Sequence, residues 1–189
     1  EHVFRSLSSL EDFGEIIVGT SNDSSDDQLV AHCKEVGLSH FRGDLSDVSL
    51  RTEQIISEYK PDFICRVCGD RPLLTPDFIE YSKQIFLDKF TQYDIISNLK
   101  SQFDPPGLKL EFIRSKTFSE YRQYFNDKER EHITKYFYYA AEYDRSKLYK
   151  YDFNKIDNTD VNFCVDTEKD LLRINKVMDL ITENEKDFN

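Results

Sequence analysis

Two aspartates define the chemistry this sequence could perform. The apolar run Phe63-Ile64-Cys65 leads into Arg66-Val67-Cys68-Gly69-Asp70-Arg71-Pro72-Leu73-Leu74. That pattern reads as a buried strand that stops on an acid, turns at a proline and starts a helix. Asp166 stands in the same position after Val161–Val165, just ahead of Thr167-Glu168-Lys169-Asp170. An acid at the carboxyl end of a strand in an open α/β sheet lies where such sheets bind ligands. Two carboxylates meeting at one sheet edge could hold Mg²⁺, and Mg²⁺ commonly accompanies a phosphate substrate.

Each acid also has a plainer reading. Asp70 could be a turn residue ahead of Pro72, because aspartate favours turns. Asp166 could cap the last helix. However, Thr167 and Asp170 have the spacing of a loose capping box, which makes Thr167 the cap and leaves Asp166 outside the helix. The pair is more specific than either acid alone, since both follow a strand and both precede a helix.

Hydrophobic spacing supplies the elements that position these acids. Residues 1–10 read as an amphipathic helix with Val3, Phe4, Leu7 and Leu10 on one face. Residues 15–20 form a near-continuous apolar run, expected of a strand covered on both faces. A helix over 26–36 closes at Gly37, a short strand covers 39–42, and a helix spans 48–59. The strand at 63–68 comes next. Thr75 and Pro76 start a helix that reaches about residue 89, and 93–98 is another strand. This β-α alternation predicts a three-layer αβα fold with a mostly parallel, doubly wound sheet. The order then changes: strand 108–113 has Leu108, Leu110 and Phe112 on one side, helices cover 118–125 and 127–139, and a strand covers 148–153. Residues 100–160 thus read as an excursion suited to holding a second substrate. Strand 161–165 and helix 167–182 complete a single domain over 1–182, with 183–189 a polar, frayed tail.

Composition narrows the partners. The 189 residues carry a formal charge of -11, 39% apolar residues, fifteen Phe and eleven Tyr. A core is affordable, but nucleic-acid binding is not expected, because it needs a basic surface. A phosphate ligand needs a metal or a local cationic loop to offset the field. No stretch approaches the roughly 20 apolar residues of a membrane span, and the opening Glu1-His2-Val3-Phe4 is no signal peptide. That opening, without Met and already helical, reads as a chain with something missing upstream, or as a trimmed start. Cys33, Cys65, Cys68 and Cys164 are read as buried apolar thiols in a reducing cytoplasm. The C-x₂-C pair at 65 and 68 is rejected as a zinc site, because residues three apart on a strand face opposite ways.

Other strand ends offer weaker candidates. Arg42 could meet a phosphate or a base edge, and Gly43 could let backbone approach a ligand; a plain surface loop is an equal alternative. Arg51 could serve the same pocket or be a solvated helix residue. The Asn98 amide could read a base or ribose, or simply make a turn. Asp127 to His132 is first of all a charged, solvated face, and His132 has no partner at metal spacing. There is no Walker-type or dinucleotide-binding glycine loop and no nucleophile elbow.

Taken in order, these segments resemble a known family: the spore-coat polysaccharide cytidylyltransferase-like proteins, relatives of the CMP-KDO and CMP-sialate synthetases. Glu1 to Arg5 is similar to the helix after the family's first loop, and Glu15 to Ser21 to its second strand. Phe41-Arg42-Gly43-Asp44 through Arg51 resembles its Phe-Arg-Gly segment and following helix. Arg66 to Leu73 resembles Arg-x-x-Gly-Asp-x-Pro-Leu, and Val165 to Leu171 resembles Val-Asp-Thr-x-x-Asp-Leu. Ser97-Asn98, Pro106-Gly107-Leu108 and Glu111-Phe112 fall at matching places. Glu129-Arg130-Glu131-His132-Ile133-Thr134 resembles the rather specific Glu-Arg-Glu-His-Val-Thr.

The resemblance implies a nucleotide-diphospho-sugar transferase (Rossmann-like) fold. It implies a Mg²⁺-dependent enzyme that joins CTP, or another nucleoside triphosphate, to an acidic or amino sugar for surface polysaccharide synthesis and releases pyrophosphate. Asp70 and Asp166 would be the catalytic metal ligands. Thr20, Arg42, Gly43, Arg51, Gly69, Asn98, Glu111, Arg130 and His132 would line the nucleotide and sugar pocket, and a homodimer could form through residues 100–160. Two departures stand out. The family's first strand and its cationic loop, Gly-x-x-Ser-x-Arg-Leu-Pro-Gly-Lys, have no counterpart here, which implies a fragment or a non-catalytic relative that binds a nucleotide or a protein. Arg71 and Lys109 stand where relatives often carry small or acidic residues, which bears on the sugar.

Overall fold

The structure is a computed structural model, and it describes residues 2–8, 14–98, 106–152 and 161–187. Among them run α1 (His2–Ser8), β1 (Ile17–Ser21), α2 (Asp27–Glu35), β2 (Ser39–Gly43), α3 (Val48–Tyr59), β3 (Phe63–Arg66) and α4 (Pro76–Lys89). These are followed by β4 (Ile95–Ser97), β5 (Glu111–Arg114), α5 (Ser115–Tyr121), α6 (Asp127–Glu131), α7 (Lys135–Tyr139), β6 (Leu148–Lys150) and α8 (Glu168–Asp187). The expected Leu10 end of α1 and the residue-153 end of the strand over 148–153 lie outside the described residues.

Local chemistry accounts for the helix starts. Asp47 caps α3 by accepting the Leu50 N–H at 2.7 Å, and Thr75 caps α4 with Pro76 in its first turn. Asn126 and Glu129 form a reciprocal capping box on α6. Thr167 and Asp170 do likewise at α8: Asp170 accepts the Thr167 N–H at 3.0 Å and its own N–H meets the Thr167 hydroxyl at 3.3 Å. Asp166 is therefore outside the helix, as its spacing indicates. Helix ends are equally local. Gly37 adopts φ +72°, and α3 stops at Lys60 in the left-handed region, just before Pro61.

The strands form two sheets. β1 and β2 pair in parallel, and the second sheet has the order β3-β5-β4-β6. β5 runs antiparallel to both β3 and β4, and β4 pairs in parallel with β6. Three of the four strands therefore point the same way, with β5 reversed between two of them. The α/β class expected from the alternation is borne out. Residues 100–160 contribute β5 and β6 to the sheet and stack the short α5, α6 and α7 beside it.

Successive residues of β4 and β5 feed opposite sides of the sheet, so both of its faces are covered by apolar side chains. Ile96 and Phe112 join Leu74, Phe78, Ile79, Phe86 and Leu110 in a core under α4. Ile95 and Ile113 join Ile56, Phe118, Ile133 and Phe137 under α3, α5 and α7. The predicted facing of Leu108, Leu110 and Phe112 is thus realised, since all three belong to the first cluster. Each such side chain contributes about 1.5–3 kcal/mol of burial.

Three expectations are corrected. Residues 161–165 make no ladder; they run extended, held by Phe163 N–H to the Pro106 carbonyl (2.8 Å) and Val165 N–H to the Asp70 carbonyl (2.9 Å). The helix expected over 127–139 breaks at 132–134 into α6 and α7. The last helix continues to Asp187, through the expected tail, because Glu183, Glu185 and Lys186 are good helix formers. The cysteines also differ from expectation: Cys33 is buried, whereas Cys65 is exposed and Cys68 and Cys164 are half-buried. Cys65 lies on β3, which pairs only with β5 among the described residues, so one edge stays open.

Candidate active site

Asp70 sits in the turn after β3, and Asp166 follows the extended segment 161–165. The Val165–Asp70 backbone bond brings these two parts of the chain side by side. Gly107 makes the approach possible. It adopts φ +98°, and a Cβ there would lie 2.5 Å from the Phe163 carbonyl carbon and 2.7 Å from the Cys164 nitrogen. Only glycine combines that conformation with that closeness. Cys164 lies within reach of both acids: burial pushes its thiol up, and Asp70 and then Asp166 push it further, against Arg71.

The Asp70 Oδ1 atom is buried and has no hydrogen-bond partner, and so is Arg71 Nε, 3.8 Å away. A buried carboxylate oxygen left bare marks a place for a cation. The Asp70–Asp166 pair fits Mg²⁺, which takes one or two protein carboxylates and fills its remaining positions with water and phosphate oxygens. Among the described residues no set of three or more His, Cys, Asp or Glu side chains could hold a metal.

Next to Asp70, with Arg71 in its wall, opens a pocket of about 250 Å³. Its wall includes Arg66, Arg71, Lys109, His132, Lys135 and Tyr138. Beneath it Glu111, fully buried on β5, accepts from Arg66 Nη1 (2.9 Å), Lys109 Nζ (2.7 Å) and the Tyr138 hydroxyl (2.6 Å). Burial raises the Glu111 carboxyl, but Lys109 and Arg66 outweigh it and hold the group below its ordinary value. Burial, and Glu111 itself, push the Tyr138 phenol well up, so it remains a donor. Lys109 also lies 4.9 Å from the centre of the Tyr138 ring. Arg71 donates through Nη1 to the Lys109 carbonyl at 2.7 Å, which ties the Asp70 turn to this wall.

The site residues expected from the sequence divide sharply. Gly69 lies exposed at the same turn as Asp70, and it borders a second pocket of about 180 Å³ with Val165 and the start of α8. His132 lines the cationic pocket. Glu111 is corrected from a substrate contact to a floor residue, because its carboxylate is out of reach of solvent. Arg130 is corrected away from the pocket: it is exposed, its Nε meets the Phe125 carbonyl at 3.3 Å, and it faces Asp47 on the α3 side.

Five other candidates are turned inward. Thr20 donates to Asp26 at 2.6 Å. Arg42 spends Nε on the Ser21 carbonyl, Nη1 on Asp27 and Nη2 on the Asp23 carbonyl, all within 2.8 Å. Gly43 is needed for packing, since a Cβ there would meet Arg51 Cγ at 2.8 Å. Arg51 donates to the Asp44 carbonyl at 3.1 Å, and desolvation lowers its pKa. Asn98 bridges β4 to the approach of β5, its amide donating to the Leu108 carbonyl and accepting from Leu110 N–H. Each of these carries a polar group satisfied by its own neighbourhood. Conversely, Arg66, Lys135 and Tyr138 went unread as site residues. For Arg66 and Lys109 the signal was present: a cation at the end of one strand, and a cation two residues before an acid on the strand beside it.

The sequence model of the cytidylyltransferase family matches residues 1–188. The spore coat polysaccharide biosynthesis protein SpsF of Bacillus subtilis is 30% identical over 128 residues, which is 67% of this chain and 51% of that protein. An uncharacterized protein of Methanocaldococcus jannaschii is 26% identical over 174 residues, 88% of this chain and 68% of its own. The chain thus spans about half the length of the first of these relatives. Among solved structures, a cytidylyltransferase from Leptospira borgpetersenii superposes with a TM-score of 0.75 at 23% identity, covering 90% of this chain and 76% of its own. A CMP:2-keto-3-deoxy-manno-octonic acid synthetase complexed with CTP superposes at 0.67 and 12% identity, covering 95% and 86%. Both show the nucleotidyltransferase, Rossmann-like fold. With the family's sequence pattern running nearly end to end, the chain belongs to the cytidylyltransferase family.

Proposed function

We propose that the protein activates a sugar, acidic or amino, by transferring the CMP portion of CTP to it with release of pyrophosphate, in the cytoplasm and in the service of a surface polysaccharide. The reading is supported by the family match and by the name of the Bacillus relative. The observation that carries it is the Val165–Asp70 backbone bond, which joins the segment leading to Asp166 to the Asp70 turn, and Arg71 of that turn lines a cationic pocket. In the reaction a sugar hydroxyl oxygen bonds to the α-phosphorus, the bond from that phosphorus to the bridging oxygen breaks, pyrophosphate leaves, and the hydroxyl releases its proton.

Asp70 and Asp166 would hold Mg²⁺. Once bound there, that ion would neutralise charge on the phosphate oxygens. The chain's own contribution is positional. Gly107 and the 161–165 segment fix where Asp166 stands. Arg71 bridges the acid turn to the pocket wall. Glu111 keeps Lys109 and Arg66 at the pocket floor.

The test is to incubate the full-length protein with CTP, Mg²⁺ and a sugar panel and to follow pyrophosphate. Turnover that disappears in Asp70→Asn and Asp166→Asn, with the circular dichroism spectrum retained, supports the reading. Normal turnover in both variants sinks the metal assignment. One observation favours a second reading: Arg71 Nε already sets a cation 3.8 Å from Asp70. On that reading the protein binds a nucleotide without turning it over, and CTP binding without pyrophosphate release, in the presence of every sugar, would identify it.

A further inference from the structure

Asp70 and Arg71 are neighbours in sequence, and their side chains face each other in the turn after β3. Asp70 Oδ1 and Arg71 Nε stand 3.8 Å apart. Both atoms are buried, and neither has a hydrogen-bond partner among the described residues. An arginine paired with a carboxylate ordinarily closes to about 2.7–2.9 Å and donates one or two hydrogen bonds. Here the arginine brings its charge and leaves the oxygen's lone pairs open.

That charge is fixed in place. The Arg71 side chain is only 12% exposed, and its Nη1 donates to the Lys109 carbonyl at 2.7 Å. The guanidinium is thus tethered to the approach of β5, unlike the loosely held partner of a surface ion pair. The Cys164 thiol feels the two charges at once: burial raises it most, Asp70 adds to the rise and Arg71 opposes it. The formal charge of -11 on the whole chain does not cancel so close a cation, because distant surface charges are screened over about 10 Å.

We infer that Arg71 sets the metal affinity of the Asp70 site: it is a fixed counter-cation that keeps the free protein from binding a divalent ion tightly there. The inference rests on the assignment of Asp70 as a metal ligand in the function proposed above. A divalent ion ligated by Asp70 enters the field of a tethered positive charge. Even at the dielectric of water, a unit charge about 6 Å from a divalent ion weakens its binding about tenfold.

The experiment titrates Mn²⁺ into the metal-free, full-length protein without nucleotide and at low ionic strength, counting the free ion by electron paramagnetic resonance. Mn²⁺ stands in for Mg²⁺ because both favour carboxylate and water oxygens. Arg71→Gln, whose amide can still donate to the Lys109 carbonyl, should bind Mn²⁺ about tenfold more tightly than the wild type. Arg71→Lys, which keeps the charge, should gain less. The gain should vanish in the double variant Asp70→Asn/Arg71→Gln, which separates this site from ions gathered by the acidic surface. Mn²⁺ should also raise the melting temperature of Arg71→Gln more than that of the wild type, by mass action. Arg71→Met, which keeps the aliphatic stem, carries the same test if Arg71→Gln does not melt cooperatively.

Equal or weaker Mn²⁺ binding in Arg71→Gln overturns the inference. So does a wild-type protein that already holds the ion as tightly through Asp70 as the variant does, or a gain in Arg71→Lys as large as in Arg71→Gln. The parent assignment fails separately. Mn²⁺ binding that depends on Asp70 but ignores Arg71 keeps the metal ligand and removes only the role of Arg71. A gain that survives Asp70→Asn removes both.

Discussion

Two corners of the molecule place arginines at strand ends, and they use them in opposite ways. At the ends of β1 and β2, Arg42 is enclosed by the Ser21 and Asp23 carbonyls and Asp27, while Thr20 and Ser21 are held by Asp26. Donors and acceptors there answer each other. In the turn after β3, Arg71 Nε and Asp70 Oδ1 are buried without hydrogen-bond partners and face each other only at 3.8 Å, and Lys135 nearby makes no ion pair among the described residues. The residue types are alike, and both corners lie at the carboxyl ends of strands. What differs is the local supply of acids: aspartates at 23, 26, 27 and 44 crowd the first corner, and the second has more cations than acids. A strand-end arginine therefore marks a binding site only where its surroundings leave it something to bind.

The contrast can be broken experimentally, starting with the largest effect. Asp70→Asn should lower pyrophosphate release by about a hundredfold or more, with a nearly unchanged thermal midpoint, because the oxygen it alters makes no hydrogen bond and meets Arg71 only at 3.8 Å. Glu111→Ala should destabilise the protein by about 3–5 kcal/mol in urea titrations, since it strands Arg66, Lys109 and Tyr138 around a buried gap. Gly107→Ala should cost about 1–3 kcal/mol from backbone conformation. It should also depress turnover, because Phe163 and Cys164 must retreat and carry Asp166 with them. Arg42→Ala should cost about 1–2 kcal/mol and leave the KM for CTP unchanged; a raised KM would return the first corner to the binding site.

The smallest effect concerns pH. Hydrogen bonds from Ser21 and Thr20 hold the Asp26 carboxyl down at about 2, from an ordinary 3.8. A group depressed on folding stabilises the protein above its ordinary value and loses that contribution as the pH falls toward its folded one. Stability should therefore decline between pH 3.8 and 2, and Asp26→Asn should flatten the urea midpoint across that window.

Much of this organisation was legible in the sequence, because it is local. Caps at Asp47, Thr75 and Thr167 and the stop at Gly37 are set by neighbours a few residues away, so helix positions followed from spacing alone. The alternation of Leu108, Leu110 and Phe112 showed which of these side chains share a face. The strand expected at 161–165 failed because its partners, Pro106 and Asp70, are single anchoring carbonyls and not a ladder. The assignments of Arg42, Asn98 and Arg130 failed for a related reason. A polar residue at a strand end looks the same whether it reaches outward or closes on backbone several residues away. The floor triad of Glu111, Arg66 and Tyr138 was hidden because its members lie on β5, β3 and α7, and no short-range pattern joins them.

The bond between Val165 and Asp70 has a consequence for biosynthesis. Half of the sequence lies between the two acids, so neither can meet the other while the ribosome is still making the intervening strands. The sheet can take shape from β3 through β6 beforehand, and the entropy of closing so long a loop grows only with the logarithm of its length. The segment leading to Asp166 can thus dock on the Asp70 turn only once β4 to β6 have been made, and an unfinished polypeptide holds just one of the two proposed metal ligands.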